Sequence, residues 1–91
     1  MSQQAKYIVF YGRVQGVGFR FTAMNIANRC ELTGYVRNRS DGAVEMFAQG
    51  NGEDISDCIR DIRESFAGYI QDVKTKDVPY DPNYENFKIT F

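Results

Sequence analysis

Two short stretches hold the residue types that could do chemistry. The first is Gly12-Arg13-Val14-Gln15-Gly16-Val17-Gly18-Phe19-Arg20, set between a strand-like run and a helix-like run. A glycine-punctuated loop in that position can turn its backbone N–H groups inward, and such a nest on a helix N-terminus suits an anion. Gly12, Gly16 and Gly18 clear side chains from the approach and permit positive φ. Arg20 adds a permanent charge and a planar fork of donors that matches phosphate oxygens. The candidate phosphate ligands are therefore the backbone of Gln15, Gly16, Val17, Gly18, Phe19 and Arg20, with the Arg20 side chain. The glycines do not read G-x-G-x-x-G, and no Gly-Lys-Ser/Thr follows, so neither familiar nucleotide loop is present. Taken alone, the loop reads equally well as a turn ending in an exposed arginine. The second stretch is Gly34-Tyr35-Val36-Arg37-Asn38-Arg39-Ser40-Asp41-Gly42-Ala43-Val44. Asn38 offers both a donor and an acceptor; alone, it reads more readily as the residue that opens a turn.

The rest of the composition narrows the reaction class. The chain has no histidine to serve as acid or base. Cys30 and Cys58 fall on the apolar faces of two helix-like runs, which makes them core residues rather than nucleophiles; the sequence does not say whether they pair. Asp41 is the one carboxylate near the second stretch, and a turn explains it. With no matched acid and base, an enzyme built on this chain works by positioning and electrostatics. Phosphoryl transfer is the class where those terms suffice.

The elements that must carry these residues follow from periodicity. Lys6 to Tyr11 is apolar on both faces, as a central strand is, while Met1 to Ala5 is polar and expected to fray. Phe21 to Glu31 reads as a helix, with Phe19, Ala23, Ile26, Ala27 and Cys30 on one face. Tyr35 to Arg39 and Ala43 to Gln49 read as strands joined through Ser40-Asp41-Gly42. Val44, Met46 and Ala48 alternate with Glu45, Phe47 and Gln49. Glu53 to Phe66 is a helix marked by Ile55, Cys58, Ile59, Ile62 and Phe66. Glu53 and Asp54 lie at its favoured acidic end, and Gly68 stops it. Tyr69 to Val78 is a fourth strand and Phe87 to Phe91 a short closing one. The order βαββαβ with a short final strand specifies an α+β fold, an antiparallel sheet with both helices on one face.

Length and charge exclude other classes. Ninety-one residues make one domain, residues 1–91. Eleven basic and twelve acidic residues leave a net charge of −1. A nonspecific nucleic-acid binder needs a stronger basic field, so no nucleic-acid partner is expected. No apolar run resembles a leader or a membrane span. Two cysteines are neither a disulfide scaffold nor a metal motif, and a reduced cytoplasmic chain is the expectation.

Together, the two stretches resemble the paired signatures of the acylphosphatase family. One reads G-x-V-Q-G-V-x-F-R, and the other G-[aromatic]-V-R-N-x-x-x-G-x-V-x-x-x-x-x-G, ending at Gly50. The closing Tyr84-Glu85-Asn86-Phe87 is similar to that family's last strand, so the resemblance runs from about Tyr7 to Phe91. It implies a ferredoxin-like sandwich and a metal-free, cofactor-free hydrolase acting on small acyl phosphates. Arg20 would bind the phosphoryl group and Asn38 the attacking water. Gly18 stands at the variable position of the first motif. Gln15 would shape the loop, and Arg13, Arg37 and Arg39 are expected on a solvated edge. Inorganic phosphate or sulfate would compete, and a monomer is expected. Acylphosphatase-like domains also open larger proteins that handle carbamoyl phosphate. This chain ends after its last strand and so reads as free-standing.

The absence of histidine fits that implication. The leaving group of an acyl phosphate is a carboxylate, with a pKa near about 4–5, and departs unprotonated. Water can attack and pass its proton to a phosphoryl oxygen, so no side-chain acid or base is needed. The rival of the same element order is an RNA-recognition module. It requires an RNP1-like strand, whereas the third strand here reads Asp41-Gly42-Ala43-Val44-Glu45-Met46-Phe47-Ala48, with Glu where a stacking surface is wanted.

Overall fold

The computed structural model describes residues 3–91. Its elements are β1 (Gln3–Gly12), α1 (Phe19–Arg29), β2 (Thr33–Asn38), β3 (Val44–Asn51), α2 (Gly52–Ser65), β4 (Ile70–Asp77) and β5 (Phe87–Ile89). The sheet order is β4-β1-β3-β2-β5. This is the expected ferredoxin-like α+β sandwich, with one departure. The first four strands pair antiparallel, but β5 joins β2 in parallel, so the sheet is mixed. The long return through residues 78–86 carries the chain past the β2 edge and lets it re-enter in the direction of β2.

That topology decides what meets at the site. β1 and β2 both lie antiparallel to β3, which separates them, so they run the same way. Their C-terminal ends, Gly12 and Asn38, therefore share one end of the sheet. Because β5 is parallel to β2, its C-terminal end arrives there too.

One face of the sheet carries the core. Ile8, Phe10, Val36, Val44, Met46 and Ala48 form a single buried cluster with Phe19, Ala23, Ile26 and Ala27 of α1 and Ile55, Cys58 and Ile62 of α2. The expected helix faces and the Val44/Met46/Ala48 alternation are the ones observed. Phe19 anchors α1: its ring lies 5.0 Å from that of Phe10 and 4.6 Å from that of Phe66. A buried aromatic of this kind is worth about 3–5 kcal/mol against truncation to alanine.

Several boundaries differ from the sequence reading. β1 already includes Gln3 to Ala5, expected to fray, because Ala5 is buried and Gln3 and Gln4 pair with Asn51 and Gly50; the rest of that expectation, on residues 1 and 2, lies outside the described residues. α1 starts at Phe19 rather than near Phe21, because Gly18, at φ 76°, is its N-cap. Arg20 thus rides in the first turn of a helix instead of ending a loop. The opposite sheet face is not simply solvated: Glu45 and Gln49 of β3 are both buried there. Gln49 exchanges two hydrogen bonds with the Asp81 backbone, at 2.6 and 2.9 Å, which fastens the return segment across that face.

Candidate active site

The site begins where β1 runs out. Gly12 is pressed against β4: a Cβ there would lie 2.3 Å from the Tyr69 carbonyl oxygen. Its glycine serves strand packing, not the anion nest. Gly16 and Gly18 differ. Each has positive φ, 78° and 76°, and a Cβ on either would meet nothing within 4 Å. Their requirement is backbone conformation, and the space in front of them is open.

The backbone N–H of Arg13 donates to Tyr69, and the next N–H to find a partner is that of Thr22, bonded to the Gly18 carbonyl. Among the described residues, the N–H groups between those two, Val14 to Phe21, make no hydrogen bond to protein. Groups of this kind are usually satisfied when no solvent or ligand reaches them. The segment combines them with the positive end of the α1 dipole. Val14 and Phe19 are buried and pin both ends of the loop to the core.

Val14, Gly16, Gly18, Phe19, Arg20 and Phe21 of this segment line a hollow of about 190 Å³, while the predicted site residues Gln15 and Val17 are not among its lining. Asn38, Ile89 and Phe91 complete the lining. Among the described residues, no carboxylate lies within ion-pair distance of Arg20; its guanidinium sits 5.1 Å from the Phe91 ring centroid instead. Such a cation–π contact fixes the side chain while leaving its charge uncompensated.

Asn38 carries the other polar group. Its Oδ1 is buried and has no hydrogen-bond partner. A lone buried acceptor costs about 1–3 kcal/mol. Asn38 ends β2 opposite Val44, and the turn beyond it is held tightly. Arg39 N–H donates to the Ala43 carbonyl at 2.8 Å, and Asp41 Oδ1 accepts from Ala43 N–H. That bond, with Arg39 beside it, holds the Asp41 carboxyl below the usual carboxylate range. Asp41 is thus a turn residue, as expected.

Gln15 is the clamp between the two stretches. Its Nε2 donates to the carbonyls of Arg39 and Ala43, at 2.8 and 2.9 Å. The side chain therefore ties the loop to the turn and fixes the separation of Arg20 and Asn38. What it and Val17 can offer an anion is their backbone N–H. Phe19 likewise gives its ring to the core and only its N–H to the hollow.

Three contributions were not legible in sequence. Ile89 and Phe91 wall the hollow only because β5 is parallel. Arg37 is not merely a solvated edge: its Nε lies 3.0 Å from the buried Glu45 carboxylate, to which Tyr35 also donates. Burial, with help from Glu45, pushes the Tyr35 phenol up to about 12. Cys30 and Cys58 are both free thiols, and burial pushes Cys58 up to about 12, away from thiolate chemistry. No group of three or more His, Cys, Asp or Glu among the described residues could hold a metal ion. Among the described residues, no helix is long and apolar enough to cross a membrane.

Comparison with known proteins agrees with this architecture. The family model described as Acylphosphatase matches residues 6–89. An acylphosphatase of Bacillus licheniformis is 38% identical over 85 residues, covering 92% of this chain and 94% of the relative. The crystal structure of acylphosphatase from Bacillus subtilis superposes with a TM-score of 0.85 at 30% identity, covering 99% of this chain and all of that one. Full-length HypF, in its phosphate- and nucleotide-bound form, contains a similar unit, with a TM-score of 0.86 at 32% identity. It covers 99% of this chain and 12% of that one.

Proposed function

The chain belongs to the acylphosphatase family, and we propose that it cleaves the carboxyl–phosphate bond of small acyl phosphates by in-line attack of a water held by Asn38. The free N–H groups from Gln15 to Arg20 and the Arg20 guanidinium bind the phosphoryl oxygens. Their charge and dipoles are preorganised where negative charge sits during transfer. The water oxygen bonds to phosphorus as the bond to the acyl oxygen breaks. The carboxylate leaves with the electron pair, and the water proton passes to a phosphoryl oxygen. Products are a carboxylate and inorganic phosphate.

One observation carries the reading: the buried Asn38 Oδ1 lacks a partner, and Asn38 lines the same hollow as Gly16, Gly18, Phe19 and Arg20. A water O–H satisfies that acceptor, and a neutral amide holds the water without repelling the phosphoryl group as a carboxylate would. Neither Arg20 nor Asn38 needs to change protonation state. The reading takes residues 1–91 as one domain working as a cytoplasmic monomer, with no metal or cofactor and with inorganic phosphate or sulfate as competitors.

Turnover of acetyl phosphate against phenyl phosphate tests the substrate class: hydrolysis of the first and not the second is expected, and equal rates would replace an acylphosphatase by a general phosphatase. The role of Asn38 is tested separately. Asn38→Ala should lower kcat by about 100-fold or more, with KM little changed. A raised KM at unchanged kcat would assign Asn38 to substrate binding instead.

A further inference from the structure

Resting on the acylphosphatase reading, we propose that a second hollow beside Asn38 is an acceptor subsite, and that the enzyme passes the phosphoryl group to a small vicinal diol as well as to water. In-line displacement puts nucleophile and leaving group on opposite sides of phosphorus. Asn38 holds the nucleophile, so whatever is bonded to that oxygen lies on the Asn38 side, and the acyl group lies away from it. The second hollow, about 490 Å³, is on the nucleophile's side: it shares Asn38 and Phe91 with the smaller one. Its other lining residues are Tyr7, Arg37, Arg39, Ser40 and Glu45. Tyr7, Arg37 and Glu45 alternate with the core residues Ile8, Val36 and Val44, and so stand on the sheet face away from the helices. The border between the hollows is therefore the end of β2, at Asn38. Phe91, at the same border, is 94% exposed and so is not packed shut against the turn.

The chemistry of Asn38 selects a diol. Water has a second O–H: one satisfies the lone Asn38 Oδ1 while the other gives its proton to the phosphoryl group. A simple alcohol has a single O–H, and its attack leaves that buried acceptor unsatisfied. In a vicinal diol the hydroxyl on the next carbon donates to Oδ1 while the first attacks. The wall of the hollow selects in the same direction. Alkyl carbon laid on guanidinium, phenol and hydroxyl groups covers donors and returns nothing, whereas further hydroxyls are received. Arg37 is committed to Glu45, which is 8% exposed in its side chain and also accepts from Tyr35. Arg39 is available, because its partner Asp41 is 48% exposed and keeps the Ala43 N–H when the guanidinium turns away. The Arg39 backbone stays where Gln15 holds it. In the transfer step the diol oxygen bonds to phosphorus as the bond to the acyl oxygen breaks. The carboxylate leaves with the electron pair, and the hydroxyl proton passes to a phosphoryl oxygen. Products are a carboxylate and a phosphate monoester. The monoester accumulates, since its alkoxide leaving group needs an acid that this site lacks.

The test supplies acetyl phosphate with glycerol or, at equal concentration, with 1-propanol, which has the same carbon chain and a single hydroxyl. Acetate, inorganic phosphate and phosphate monoester are measured separately by NMR, and the enzyme-free reaction is subtracted. With glycerol, inorganic phosphate should fall short of acetate by the amount of glycerol phosphate formed. Glycerol should be phosphorylated at about ten times or more the rate of 1-propanol, the scale of one hydrogen bond to a charged group. Arg39→Met, which keeps the stem and removes the donors, should lower that ratio by about three-fold or more, with acetate release in plain buffer unchanged, and Arg39→Lys should restore part of it. Equal acetate and inorganic phosphate from the wild type in glycerol overturns the acceptor subsite while leaving the acylphosphatase reading intact. So does a glycerol rate no higher than that of 1-propanol, or a ratio that Arg39→Met leaves unchanged. Absence of acetate release by the wild type would remove the activity itself, and the subsite with it.

Discussion

The two helices begin in opposite ways. α2 is satisfied from within: Asn51, in extended backbone, accepts the Glu53 N–H at 2.9 Å, and Glu53 and Asp54 occupy its first turn. α1 starts from Gly18 in the left-handed region, with no side-chain cap and no acidic residue in its first turn. Its second residue is Arg20, the wrong charge for that end of a helix dipole. As a helix start, α1 forgoes about 1 kcal/mol of capping and adds an unfavourable charge. Sequences that violate local rules tend to do so at functional sites. α2 shows that this fold can close a helix end, and α1 shows where the fold leaves donors for something other than itself.

The sharpest way to break the comparison is Arg20→Lys. It keeps the charge and loses the planar fork, so kcat/KM should fall about 100-fold or more while the melting temperature hardly moves. Near wild-type kcat/KM would take Arg20 out of the site. Next comes an exchange of principles between the helices. Phe21, the third residue of α1, is 61% exposed. Phe21→Glu gives α1 the acidic first turn that α2 has, so the protein should become slightly more stable. KM for acetyl phosphate and the inhibition constant for inorganic phosphate should both rise about ten-fold, since a resident carboxylate now competes for the dipole and the free N–H groups. Unchanged constants would show that the helix end takes no part in binding.

The converse change should cost stability alone. Asn51→Ala removes the α2 cap, worth about 1 kcal/mol or roughly 4–8 °C in a domain of this size, with kcat/KM for acetyl phosphate unaltered. Loss of activity at full stability would mean that the two ends are coupled. The smallest expected effect is on pH dependence. The chain has no histidine, and the proposed mechanism asks no side chain to give or take a proton. At saturating benzoyl phosphate and constant ionic strength, kcat should be flat between about pH 6.5 and 8. A two-limbed bell within that window would demand a titrating side chain, with Asp41 the first to test.

Much of this was local and therefore readable from the chain. The spacing of Phe19, Ala23, Ile26 and Ala27, and of Ile55, Cys58 and Ile62, marks two helix faces, because a 3.6-residue period needs nothing beyond the segment itself. By residue type alone Gly16, Gly18, Arg20 and Asn38 are candidates that also fit plain turns; it is the paired motifs of the family resemblance that single out Arg20 and Asn38. The α1 boundary was misread by two residues because nothing local announces that Gly18 is the cap. What only the tertiary structure decided involves residues far apart in sequence. Gln15 finds carbonyls 24 and 28 residues away. Glu45 becomes a buried partner for Arg37, and Ile89 and Phe91 reach the hollow because β5 enters parallel to β2. The direction of that last strand follows from how the return segment crosses the sheet, a property of the whole assembly, and the pairings follow from register across strands. A sequence states which groups can do chemistry; the packing of distant segments determines which of them meet, and which donors and acceptors are left unspent when they do.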